Sequence, residues 1–407
     1  MHRRHLLSLA LATMLTALPA ASQQGKGPKT QVFIDVATHD FAGMPGLGGL
    51  GGFMMRRMGD DKGPQGYPES RNIPAGTGRY LDIALHNGLK PGVEAQQFVP
   101  AGLDVGKSLP LVPPSPQPHD NAAYGGKVQD IEITFYQYWG CGAVVRPGQP
   151  KVFKLKMKDG QLQTGGSMAP GLFVPDRDID ATPAYAVWPN RKNTRRVSDD
   201  SSMIGQHRIV GDGVPESLQF DLDQDADFMP PIALRSSGGP EDAIVTNWQP
   251  VDRARAYFLS AMGMKSQHEF VTWSSSEVAG AGGELLNYLT GPYIDKWLKQ
   301  KVLLPNTTTS CTVPKGIFAG GEGGQQGGMG MLTMIAYGPE TNIAWPPKPA
   351  DPRTPWNPEW NVRVRTKSTA TALLGMDMGE LPQDDGRQPQ KKKPGMRDLL
   401  KGILGGG

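Results

Sequence analysis

The amino-acid sequence predicts a mainly β protein built from two β-sandwich-like units. Three observations carry that prediction. Short runs alternate apolar and polar residues with a period of two, and only one internal stretch has convincing helical spacing. Gly 53 and Pro 37 together exceed a fifth of the 407 residues, and they fall in patches between the runs. Such patches read as disordered loops and a tail around folded parts.

The chain opens with Arg3 and Arg4, an apolar run from Leu6 to Leu18, and the small residues Ala20, Ala21 and Ser22. This is the pattern of a secretory signal peptide, residues 1–22. An N-terminal β-rich domain is expected over 30–235. Val32, Ile34 and Val36 alternate along its first strand, which leads into a Gly/Met-rich loop at 42–68. Leu81, Ile83 and Leu85 mark the next strand, and a Pro-rich connection follows at 108–126. "VQDIEITFYQYW" (128–139) is a strong strand signal, and a partner strand begins near Lys151, after Pro147 and Pro150. Residues 160–215 read as loop, and Leu218, Phe220 and Leu222 give one more strand.

A second unit is expected over 243–376. It has strands ending at Trp248, beginning near Ala256 and covering 268–278. One helix is expected over 291–302, with Thr290 as its cap and Ile294, Trp297 and Leu298 on its apolar side. A hairpin over 330–347 turning at Gly338-Pro339 and a last strand at 358–370 follow. Residues 377–407 form a disordered basic tail with a short amphipathic segment: Met396, Leu399, Leu400, Ile403 and Leu404 beside Lys391–Lys393, Arg397 and Lys401.

The net charge is +3, or +1 once Arg3 and Arg4 leave with the leader, which argues against a nucleic-acid ligand. No stretch after the leader is apolar for the ~18 residues that a transmembrane span needs. Cys141, set in a Gly-Cys-Gly turn, and Cys311 are the two cysteines. An even count in an exported chain favours a disulfide between them over a free nucleophile, because oxidising compartments keep such bridges. No metal or cofactor motif is complete. Asp221, Asp223 and Asp225 have the first spacings of a calcium loop, but Ala226 and Ile232 stand where it needs Gly and Glu. Met44, Met54, Met55 and Met58, with His39 nearby, suit Cu(I) by softness but lack a repeated spacing. As a sticky partner or ligand surface, Met54 and Met55 join Trp345, Trp356 and Trp360 of a Pro-stiffened run and Leu399, Leu400 and Ile403 of the tail.

Trp248, Pro250, Val251, Ala254, Ala256 and Tyr257 form a sheet-switching corner that resembles the second-to-third strand corner of fibronectin type III-like domains, and "MLTMIAYGPE" resembles their penultimate strand. The resemblance covers 243–347, departs at Leu332 and at the helical insertion, and implies a binding or spacing module. Phrases such as "YWGC", "WPNRK" and "SCTVP" resemble an uncharacterised family of exported Gram-negative bacterial proteins over 30–376. The expected function is a non-enzymatic periplasmic or secreted cell-envelope protein, outer-membrane associated, that meets an envelope protein or membrane surface through its tail. The alternatives are an exported hydrolase acting on glycan or peptide, with a site in a cleft between the two units where His207 or another histidine meets carboxylates such as Asp223 or Asp225, and a periplasmic metal-binding protein.

Overall fold

Strands dominate the computed structural model, which describes residues 27–41, 66–71, 76–114, 130–175, 177–320, 329–351 and 353–374. In chain order they are β1 (Thr30–Phe41), β2 (Gly78–Asn87), β3 (Ala95–Phe98), β4 (Ser108–Leu111), β5 (Ile131–Trp139), β6 (Lys151–Lys158), β7 (Gln161–Gly166), β8 (Tyr185–Trp188) and β9 (Gly205–Gly211). They continue as β10 (Gln219–Leu222), β11 (Arg235–Ser237), β12 (Ile244–Asn247), β13 (Ala256–Ser266), β14 (Glu269–Ser274), β15 (Leu304–Pro305), β16 (Ser310–Val313), β17 (Met329–Trp345) and β18 (Trp360–Leu374). Helix α1 (Gly291–Lys299) lies between β14 and β15.

One large mixed sheet runs β7-β6-β5-β14-β13-β17-β18-β1-β2-β8, with β15 beside β13. Two small sheets, β10-β9-β3-β4 and β11-β12-β16, complete the β structure among the described residues. Both small sheets cover the same face of the large one. Val32, Ile34 and Val36, Leu81, Ile83 and Leu85, and Val362 and Val364 meet Leu109, Ile209 and Phe220 in the first core. Leu259, Val271, Trp273, Leu332, Ala370 and Ala372 meet Ile244, Cys311 and Val313 in the second. Strand β18 feeds both through one alternating set of side chains, so the cores are neighbours under a shared roof.

The expected boundary between 235 and 243 does not coincide with the sheets. β1 pairs in parallel with β18, and β14 pairs in parallel with β5, so strands from both expected units interleave in one sheet. Local alternation reports that a segment is a strand, not which distant strand lies beside it. The corner around Trp248 takes the chain from the small sheet at β12 into the large sheet at β13. There the Trp248 and Tyr257 rings meet edge to face at 5.6 Å.

Three local expectations need correcting. Residues 330–347 are not a hairpin: β17 runs on as one strand opposite β18, with an irregularity between Tyr337 and Glu340. Pro339, which has no N–H for the ladder, sits in that skipped rung. The stretch 160–215 contains β7, β8 and β9 rather than loop alone. Its alternation was hidden because β7 is exposed throughout, with Leu162 its one large apolar residue, and β9 turns His207 inward beside Ile209. Thr290 precedes α1 but caps it with no side-chain hydrogen bond; its carbonyl accepts from the Tyr293 and Ile294 amides instead. Nine residues make a marginal helix alone. Burial of Ile294 and Trp297 against Phe258, Ile335 and Tyr337, on the opposite face of the large sheet, holds it in place.

Candidate functional site

That opposite face carries two contrasting regions. The first is charged. Successive rungs across β2, β1, β18 and β17 read Asp82–Asp35–Arg365–Glu340, then Tyr80–Ala37–Lys367–Tyr337, then Gly78–His39–Thr369–Ile335. Arg365 donates two hydrogen bonds to Asp35, from Nε to Oδ1 at 2.7 Å and from Nη2 to Oδ2 at 2.6 Å. The same Nη2 reaches Asp178 Oδ1 at 2.9 Å. Arg71 closes the group from above: its Nε donates to Asp35 at 3.2 Å, its Nη1 to the Ile179 carbonyl at 2.9 Å and its Nη2 to the Tyr67 hydroxyl at 2.6 Å. Asp82 accepts from the Ser70 amide at 2.7 Å and the Ser70 hydroxyl at 2.6 Å.

The electrostatics follow from burial and pairing. Burial pushes the Asp35 carboxyl up, but Arg365, backed by Arg71 and Arg363, outweighs it and holds Asp35 at about 2. Asp82 lacks such a cation, so burial raises it to about 6 against its Ser70 and Glu69 hydrogen bonds. Burial lowers Lys367 to about 7, although Asp35, Asp178 and Asp82 pull the other way. Its Nζ donates to the Arg71 carbonyl at 3.2 Å and lies 4.6 Å from the Tyr288 ring centre. Burial, with Lys367 close by, also keeps His39 neutral.

This amine has the basicity of a reactive lysine, yet it is 1% exposed. A cleft of about 450 Å³ between Tyr67, Arg71 and Asp178–Ala181 does not include it in its walls. Asp35 and Arg365 each spend their hydrogen bonds on the other and on their immediate neighbours. The cluster is a buried polar core in which Asp35 and Asp178 pair with Arg365 and Arg71.

The second region is apolar. Strands β5, β6 and β7 extend past β14 as a wing of the sheet. On one face Ile131, Met157 and Leu162 form a rung, Ile133 and Leu155 the next, and Phe135, Phe153, Phe270 and Met264 a third. Phe135 stacks on Phe270 at 5.4 Å and meets Phe153 at 6.4 Å. A further rung carries Gln137, Thr272, Met262 and Met331. Leu162 is 61% and Met262 57% exposed, and none of the three phenylalanines is buried. The charges sit on the back: Lys154 and Lys156 lie 3.6 and 3.2 Å from Glu132, on the far side of the pleat. Among the described residues this apolar stretch is left largely open, with the Ala169 amide on Gln137 Oε1 at 3.0 Å at its inner edge.

Of the residues singled out in the sequence, Cys141 and Cys311 are joined, with Cα atoms 5.2 Å apart and a separation of 170 residues. The bond ties the end of β5 to β16, so it links the large sheet to a small one within one body rather than clipping two separate units. Trp360 is not a surface residue. It is 2% exposed in the first core, with its indole N–H on Ser217 Oγ at 3.0 Å, because inward alternation on β18 places it beside Val362. Trp345 is 49% exposed, and Trp356 is half-buried with its indole N–H on the Pro346 carbonyl at 2.9 Å. Met54, Met55, Leu399, Leu400 and Ile403 lie outside the described residues.

His207 is buried, and neither Asp223 nor Asp225 is among its hydrogen-bond partners. Its ring nitrogens engage Gln97 and the Met203 carbonyl, and the ring stacks on Phe220 at 5.4 Å. Asp223 accepts from the Asp225 amide at 3.0 Å, so the acidic stretch caps a short turn. No group of three His, Cys, Asp or Glu side chains among the described residues could hold a metal ion. No helix among them is long and apolar enough to cross a membrane.

The charged cluster was missed in the sequence, although Arg363, Arg365 and Lys367 at alternate positions of a Val-containing strand were its visible trace. No family model matches the chain, and neither does any curated protein or solved structure.

Proposed function

We propose that this is a non-enzymatic exported cell-envelope protein, a binding or scaffold module whose contact surface is the apolar face of the β5–β7 wing. The single observation that carries the reading is that face, with Phe135 at its centre and its charges turned to the back. The leader at 1–22 and the Cys141–Cys311 bond support export to an oxidising compartment. The Trp248 corner between two facing sheets supports the fibronectin type III-like reading of 243–347, a fold used for contact rather than chemistry. The basic tail, with Leu399, Leu400 and Ile403, is a second contact in this reading.

The test is recovery of bound protein by the tagged mature chain in its own envelope, compared with Phe135→Glu and with a chain ending at Met376. Loss of the bound protein in Phe135→Glu is expected. Equal recovery from Phe135→Glu and wild type would sink the wing reading, and equal recovery from the shortened chain would sink the role of the tail.

A further inference from the structure

We infer that the open wing face is covered by the same face of a second copy, giving a two-fold homodimer in which two wings stack as a sandwich. This deepens the proposed function and rests on its claim that the wing face is the contact surface.

Three features argue for a second copy. The face is nearly free of charge: along β5, β6 and β7 it shows Ile131, Ile133, Phe135, Phe153, Leu155 and Leu162, and Lys151 is its only cation. Charge depletion at the centre is what protein interfaces share. A membrane-binding surface would instead set cations beside the apolar residues. Here Lys154, Lys156 and Lys158 alternate to the opposite side, where Glu132 pairs with two of them. The shape also suits a sheet partner. Strands at ~4.8 Å spacing give a nearly flat layer, and two such layers pack ~10 Å apart with interdigitating side chains.

The size suits a weak, specific contact. Strands β5 to β7, roughly seven residues deep, span about 14 by 24 Å, and β14, β13 and β17 add about 14 by 10 Å beside the Phe135 and Gln137 rungs. That footprint is on the order of 480 Å², below the ~800 Å² per partner of standard interfaces and in the range of weaker ones. A single patch that must match itself is satisfied by a two-fold axis, the commonest symmetry of soluble oligomers.

The experiment is sedimentation velocity on the full mature chain, disulfide intact, over roughly 1–100 μM, the range in which a weak interface dissociates measurably. A species of twice the chain mass is expected. Phe135→Glu should raise the dimer dissociation constant at least tenfold while its circular dichroism stays that of wild type. Lys156→Glu, on the back of the same strand, should leave the dimer intact. Wild type that stays monomeric throughout overturns the inference. So does a chain ending at Met376 that dimerises when the full chain does not, since the tail would then be the cover. A wild-type monomer that floats with phosphatidylglycerol vesicles through Phe135 also overturns it, in favour of lipid. A monomer that still loses its envelope partner on Phe135→Glu would reject the dimer and keep the proposed function. A dimer insensitive to Phe135→Glu would reject both.

Discussion

Strands β18 and β6 carry the same kind of pattern and meet opposite fates. In β18, Arg363, Arg365 and Lys367 alternate with Val362 and Val364; in β6, Lys154, Lys156 and Lys158 alternate with Phe153, Leu155 and Met157. The valines of β18 reach a core and its cations are buried as well, Arg365 and Lys367 under Arg71, Asp178 and Tyr288 and Arg363 against the Phe33 ring. The lysines of β6 stay in solvent and its apolar side chains remain half-exposed. Period-two patterning sorts side chains to two faces, but what lies above each face decides which is interior. A central strand with both faces covered must neutralise its charges locally, whereas a peripheral strand can leave them to water.

The sharpest way to break this contrast is to unpair the charged face. Arg365→Met leaves Asp35 with Arg71 alone and removes a bond to Asp178, and should cost about 3–5 kcal/mol in urea unfolding. Adding Asp35→Leu should restore most of that loss, because the stranded carboxylate is gone. A cost below about 1 kcal/mol for the single variant would mean that water, not protein, surrounds the pair.

Lys367→Met gives the next largest effect, one that depends on pH. Below pH 7 the amine is charged in both the folded and unfolded chain, and the folded state bears the desolvation cost. Between about 7 and its ordinary value of 10.5 the folded chain releases the proton while the unfolded chain keeps it, so wild-type stability rises with pH. Wild type should therefore gain on Lys367→Met by at most about 1.4 kcal/mol per pH unit across that window. Parallel stability curves from pH 6 to 10 would show that the amine is not buried as described. The smallest change belongs to the wing: Glu132→Gln, between two exposed lysines, should leave the unfolding midpoint where it was. A clear drop would mean that the back of the wing is not the solvated face.

Much of this fold was legible because burial and alternation coincide. Val32, Ile34 and Val36, Leu218, Phe220 and Leu222, and the pairing of Cys141 with Cys311 follow from local chemistry. The sheet order was not legible. The rules that mark β1 and β18 as strands contain nothing about a parallel neighbour 330 positions away. The charged cluster escaped for a related reason: Asp35 and Arg365 look like solvent-facing polar positions until each supplies the other's counter-charge. Trp360 misled in the opposite direction, since its Pro-rich surroundings suggested exposure and its strand register buried it. Of the wing, β5 and β6 were marked as strand while β7, inside a stretch read as loop, was not, and the openness of the face depends on which connections cross it.

The adjacency of β1 and β18 has a consequence for how the molecule is made. The strand formed from residues 30–41 sits between β2 and a neighbour that starts only at Trp360. No nascent fragment ending before that point can close the first core, so consolidation waits for β18 to emerge. Such long-range closure slows acquisition of structure. A premature stop upstream of Trp360 would leave a sheet open at its middle, not a shorter version of the same protein.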